Sequence, residues 1–228
     1  MKQFRILLII LVSIATFLLV YTPHYNYPFP SHIDEWHHIT ETFRLQDREY
    51  PGGTIGYRIG FHIMLLLLSK IADLIKIYRF LPAIWAVVSG LGLFYVVYKK
   101  TGAQFYTALL SMIFFASIKS NVNITGLWFF TPLTFSIPFI FLYIYFFTEG
   151  VENQNKRALL ISLLIMAILL PIHAISVLFA IPFLLIYSLC NLKHIRKVWG
   201  FFSIFLMIPA IGLIFYKFMN NVPLGHLL

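Results

Sequence analysis

Long apolar runs alternate with short polar breaks along this chain. Apolar residues dominate at 6–20, 55–77, 80–98, 103–118 and 124–147, and again at 158–170, 174–192 and 198–218. None of the runs has the two-residue alternation of a barrel strand. Backbone in hydrocarbon must satisfy its own hydrogen bonds, so each run predicts a helix. Several approach the roughly 20 residues that cross a hydrocarbon core of about 30 Å. The stretch 158–192 would be about 52 Å long as one helix, too long for a single crossing. "LPIHAI" lies at its middle, which predicts two helices meeting at Pro171 and His173, the first of them short.

Composition agrees with lipid as the solvent. The chain of 228 residues is 60% hydrophobic and 11% charged, with a mean hydropathy of +0.86. A soluble domain carries roughly a quarter charged residues. The pattern therefore predicts an all-α, polytopic helical bundle forming one transmembrane domain over 1–228. The net charge of +9 does not call for nucleic acid, because basic residues at helix ends follow from orientation rules and anionic lipid. Cys190 lies alone in an apolar helix and has no partner for an internal disulfide.

Charge also predicts orientation. "MKQFR" precedes the first run, and no small-residue cleavage pattern follows it, so the run is an uncleaved anchor with a cytoplasmic N-terminus. Residues 22–54 then form an extracytoplasmic loop. If 55–77 dips into the outer leaflet, nine Lys and Arg fall inside and eight outside; if it crosses, seven fall inside and ten outside. Arg58, Lys70 and Asp73 also make 55–77 a costly lipid-facing span. The favoured topology has about seven crossings plus this juxtamembrane helix, and the crossing alternative stays open.

The first loop concentrates the chemistry. "SHIDEWHHITETFRLQDREYPGG" holds five of the eight carboxylates, namely Asp34, Glu35, Glu41, Asp47 and Glu49. Ser31, three residues before Asp34, is a capping-box pattern that predicts a helix start at Ser31. On that helix Asp34, His37, His38 and Glu41 share one face by their spacing, and Tyr50-Pro51-Gly52-Gly53 breaks the chain after it. A carboxylate beside histidines suits a general base, a divalent-metal ligand set drawn from Asp34, His37, His38 and Glu41, or a solvated polar loop. The residues alone leave these three open.

The order of these features resembles the GT-C glycosyltransferase superfamily, which includes protein O-mannosyltransferases, lipid A aminoarabinose transferases and oligosaccharyltransferase catalytic subunits. The residues that carry the resemblance are "IDEWHHI", then "YPGGTIGYRIGFHIMLLLLSKI" and "YRFLPAIWAVVSGLGLFYVVYKK", and later "GLWFFTPLTFSIPFIFLYIY" and "LLPIHAISVLFAIPFLLIYSL". It extends over nearly the whole chain as pattern and order, with no single diagnostic motif. It implies a membrane enzyme that moves a sugar from a polyprenyl-phosphate carrier to an extracytoplasmic acceptor with inversion. Asp34 would be the catalytic aspartate, with Glu35 or Glu41 taking the second acidic role and a divalent metal as the cofactor to consider. Arg58 and Arg79 would bind the leaving phosphate, with His62 lining the site. Interfacial snorkelling is the competing reading for both arginines, and helix packing is the competing reading for His62.

Two departures from the family pattern matter. The second outer loop, "SIKSNVNITG", offers Asn121 and Asn123 where relatives often carry an acid, and the chain resembles the amino-terminal module alone. A second function class follows: a non-catalytic subunit that binds the lipid carrier or a protein partner supplying further spans. Asn123-Ile124-Thr125 is a glycosylation sequon beside a helix and says nothing about modification. His173, at an outer helix junction, is expected to cap or hydrogen-bond.

Overall fold

The computed structural model describes residues 2–27, 29–30, 32–47, 55–117, 129–198, 200, 203–204 and 207. Among these residues all regular structure is helical. The helices are α1 (Lys2–Tyr21), α2 (Ile33–Gln46), α3 (Ile55–Ser69), α4 (Leu74–Tyr78), α5 (Leu81–Lys100), α6 (Phe105–Ala116), α7 (Pro132–Glu152), α8 (Lys156–Cys190) and α9 (Leu192–Ile195).

Four segments are long and apolar enough to cross a membrane: Lys2–His24, Leu81–Lys100, Pro132–Glu152 and Lys156–Leu178. On α1, Ile6, Leu7, Ile10, Leu11, Ile14 and Leu18 are each between 49% and 53% exposed. A soluble helix would turn such a set into a core, whereas lipid solvates it. The chain is an integral membrane protein. Most of the apolar run 198–218, along with Asn121, Asn123, the sequon and Tyr50-Pro51-Gly52-Gly53, lies outside the described residues.

The bundle has two distinct ends. At one, Arg5 of α1 lies over Phe105 at the start of α6, and Lys100 at the end of α5 pairs with Glu152 at the end of α7. This basic end gathers nine of the 17 Lys and Arg: Lys2, Arg5, Lys99, Lys100, Lys156, Arg157, Lys193, Arg196 and Lys197. At the opposite end Tyr21 stacks on Phe80 just before α5, and Trp85 of α5 stacks on Phe135 of α7. The helices α2, α3 and α4 all sit there.

Two apolar runs divide differently from the sequence expectation. Run 55–77 is not one helix: Asp73 accepts from the backbone N–H groups of Ile75 and Lys76 and starts α4 afresh, because such a carboxylate satisfies donors left open at a helix start. Phe61 of α3 and Tyr78 of α4 both pack on Phe130. The α3–α4 segment therefore leaves and returns to one end of the bundle and does not carry the chain to the other. Run 124–147 shifts to Pro132–Glu152, because Thr131 caps the Thr134 N–H and Pro132 occupies the first helical turn, where an N–H has no intrahelical acceptor and proline's lack of one costs nothing.

The expectation of two helices within 158–192 matches the structure. The backbone of α8 leaves helical values at His173 (φ −156°, ψ 80°). Beyond it the chain folds back, since Tyr187 donates to Glu152 at 2.8 Å, only four residues before Lys156. The arms, 156–172 and 174–190, pack through Leu159, Leu163, Met166 and Leu169 on one side and Val177, Ala180 and Leu184 on the other, against Tyr143, Phe147 and Val151 of α7.

Candidate functional site

The candidate site lies where α2 and α3 meet the tip of the α8 hairpin. His38 faces His62, and Gln46 eight residues on accepts from Lys70, so α2 and α3 run side by side in the same direction. Gly60 sets α3 against the hairpin tip: a Cβ there would lie 3.0 Å from the Ile172 side chain and 3.1 Å from the Pro171 carbonyl group. A side chain there would require the hairpin tip to give way by a few tenths of an ångström.

The start of α2 differs from the expectation. His32, not Ser31, is the cap: its Nδ1 accepts from the Asp34 N–H, while Glu35 reaches back to the His32 N–H. Ser31 itself lies outside the described residues. An imidazole nitrogen can accept where the Ser hydroxyl was expected to. Because Nδ1 accepts, it carries no proton to give Asp34, whose Oδ2 stands 3.6 Å away. Asp34 is left with its side chain 55% exposed at the rim.

Glu35 turns the other way and is 1% exposed. Its Oε1 accepts from the Phe130 N–H at 2.8 Å, 95 residues along the chain. Tyr78 donates to the carbonyl of the same Phe130. Both backbone groups of Phe130 are thereby satisfied by side chains, one from α2 and one from α4. Burial first, and then the charge of Glu35, push the Tyr78 hydroxyl well above the ordinary phenol range, which keeps it a donor. This clamp makes Glu35 a positioning residue in the observed geometry, holding α2 against the start of α7.

The four residues expected on one face of α2 are divided by packing. His38 and Glu41 are buried, whereas Asp34 and His37 are exposed. The buried face centres on Glu35, His38, Ile39 and Thr42, so the predicted stripe straddles its edge. Glu41 pairs with Arg44 at 2.9 Å, and its second oxygen is buried without a hydrogen-bond partner. Among the described residues no three His, Cys, Asp or Glu side chains are grouped as a metal-ligand set.

What the fold does assemble is a knot of imidazoles around a cation. His38 Nδ1 and His62 Nε2 lie 3.0 Å apart in a buried contact. One nitrogen must donate and the other accept, so the pair cannot hold two charges. Burial is the largest cause lowering His38, followed by His62 and Arg58. Burial, then His37 and Arg58, lower His62 to about 4. Arg58 acts electrostatically on His38, His62 and also His173 at the hairpin tip. His173 hydrogen-bonds Ser176, which in turn meets Ser136 of α7, in keeping with the hydrogen-bonding expected of it. Half-buried Arg58 itself makes no ion pair with a described carboxylate.

Arg79 stands apart from this knot. Its guanidinium lies 4.5 Å over the Phe80 ring, which stacks on Tyr21 of α1, and its Nε is buried with no hydrogen-bond partner. The sequence reading did not identify His32 as a cap, or Tyr78, Phe130, Ser136 and Ser176 as partners in the polar layer. "FFTPLT" marks the start of α7, but no local signal ties Phe130 to Glu35. A neutral imidazole pair beside a guanidinium that meets no described carboxylate is suited to an anion. No family model, curated protein or solved structure matches the chain.

Proposed function

We propose that the chain is a GT-C-type membrane glycosyltransferase that uses a polyprenyl-phosphate sugar as donor. The observation that carries this reading is Arg58, a cation with no ion pair to a described carboxylate, whose charge acts on the buried His38–His62 pair, beside the helix α2 that carries the exposed Asp34 in its first turn. Arg58 takes the donor phosphate. Asp34 accepts the acceptor's hydroxyl proton as that oxygen attacks the anomeric carbon and the carbon–oxygen bond to phosphate breaks, with inversion. Stabilising the leaving phosphate in a low-dielectric site is the larger contribution, and proton acceptance adds a factor of about 10²–10⁴. In the matching topology the basic end faces the cytoplasm, the chain crosses seven times, and the site faces outward.

A second reading is a carrier-binding subunit without catalysis. It is favoured by the other acids of α2 being occupied, Glu35 by backbone N–H groups and Glu41 by Arg44. Transfer of labelled sugar from a panel of polyprenyl-phosphate donors, in membranes containing the chain, separates the two. The enzyme reading expects transfer that is lost in Asp34→Asn at unchanged protein level. Carrier binding without transfer in either form would establish the subunit.

A further inference from the structure

The basic end holds a cleft unconnected with the imidazole knot. Its volume is about 380 Å³, and it is lined by Lys2, Arg5, Ile6, Ile9, Phe94, Tyr98 and Phe105. Lys2, Arg5, Ile6 and Ile9 follow the three- and four-residue spacing of one helix face. Phe94 meets Phe105 edge to face and stacks on Tyr98, forming an aromatic wall from α5 and α6. The Arg5 guanidinium lies 5.3 Å over the Phe105 ring.

Charge and depth identify the occupant. Neither Lys2 nor Arg5 pairs with a described carboxylate. The acids described at this end, Glu149 and Glu152, are engaged by Lys100 at 4.0 and 2.7 Å. Below the two cations the cleft becomes wholly apolar within about 10 Å along α1, from Lys2 to Ile9, and beside it Leu7 and Ile10 are exposed. Cations at one end of the lining and aromatic and aliphatic walls beyond them match a phospholipid with a net negative head. A zwitterionic lipid would bring its own cation to an already basic mouth. Inorganic phosphate would leave the apolar wall unused.

We propose that this cleft binds one anionic phospholipid, with its phosphate between Lys2 and Arg5 and an acyl chain along Ile6, Ile9, Phe94 and Phe105. The site is independent of the sugar-transfer reading, being at the other end of the bundle. It fixes α1 to α5 and α6 where α1 is otherwise mostly in contact with lipid.

The test is native mass spectrometry of the full chain in neutral detergent, titrated with phosphatidylglycerol, phosphatidylcholine or inorganic phosphate. The wild type is expected to hold one phosphatidylglycerol and to prefer it over the other two. The double variant Lys2→Gln, Arg5→Gln weakens this by about 30-fold, the scale for two juxtamembrane cations. Ile6→Trp, which obstructs the apolar part and leaves both charges, also weakens it. Lys193→Gln, Lys197→Gln, which removes the same charge from the same end outside the cleft, leaves it within about threefold of wild type. Equal losses in both charge variants would overturn the site as non-specific attraction. Binding of phosphate as tight as that of the lipid, or no effect of Ile6→Trp, would overturn the lipid assignment. Circular dichroism confirms equal helicity in all variants before binding is compared.

Discussion

Replacing Glu35 tests the clamp that holds the candidate site together. Its carboxylate accepts from the Phe130 N–H at 2.8 Å and the His32 N–H at 3.2 Å, and at 1% exposure water cannot replace it. Hydrogen bonds to a charged group contribute about 1.5–3 kcal/mol each. Glu35→Ala leaves both donors unmet and is expected to cost about 3–5 kcal/mol. Glu35→Gln keeps one accepting oxygen but turns an amide NH₂ toward the other donor, for about half that loss. Tyr78→Phe removes the donor to the Phe130 carbonyl and costs about 1–3 kcal/mol. Because both side chains hold the same residue, the double variant loses less than the sum. The assay is thermal unfolding in mild detergent, followed by helical circular dichroism and by the fluorescence of the four tryptophans. On the soluble-domain scale of about 2–4 °C per kcal/mol, Glu35→Ala lowers Tm by roughly 10 °C. A melt within about 2 °C of wild type, or strict additivity with Tyr78→Phe, would refute the clamp.

Other expectations follow from the same geometry. The unfolded chain binds protons at His38 and His62 below about 6.5, while the folded chain does not until much lower pH. Stability is therefore fully present above pH 6.5 and falls toward pH 4, by up to about 1.4 kcal/mol per unit for each histidine. The groups facing the pair are His37, Arg58 and His173. Melts from pH 7 to 5 should show this slope, and His62→Gln should make it shallower; an unchanged slope would contradict the neutral pair. Gly60→Ala places a Cβ against the Pro171 backbone and should cost about 1–3 kcal/mol by overpacking. A variant as stable as wild type would mean that α3 and the hairpin tip separate freely.

Helix type and the division at His173 were legible because both rest on local pattern: apolar runs, a proline, and a stretch too long for one crossing. The start of α7 was misplaced although Thr131 and Pro132 mark it, because hydropathy continues smoothly from Ile124. The break between α3 and α4 was hidden in the same way, since Asp73 reads as a cost to a lipid-facing helix until it is seen capping one. For α2, spacing correctly grouped four residues along one stripe but could not tell which side of the stripe packs. That is set by Phe61, Phe130 and Tyr78 arriving from other elements, and it separates Asp34 from His38. Contacts such as Glu35 to Phe130, 95 residues apart, leave no periodic trace. Arg58 and His62 were singled out as substrate-binding, and they do lie together, because both sit on one face of a short apolar helix where charge is conspicuous.

The central claim is that Arg58 receives a lipid-linked phosphate, and calorimetric titration with a short-chain polyprenyl phosphate tests it most directly. The titration uses the full chain carrying Lys2→Gln and Arg5→Gln, so that the cleft at the basic end does not contribute. Adding Arg58→Gln removes one charge-assisted contact of about 1.5–3 kcal/mol and should weaken binding by about 10- to 150-fold. Adding Asp34→Asn instead should leave binding within about threefold, because Asp34 acts on the acceptor. Binding that is unchanged by Arg58→Gln would contradict the account.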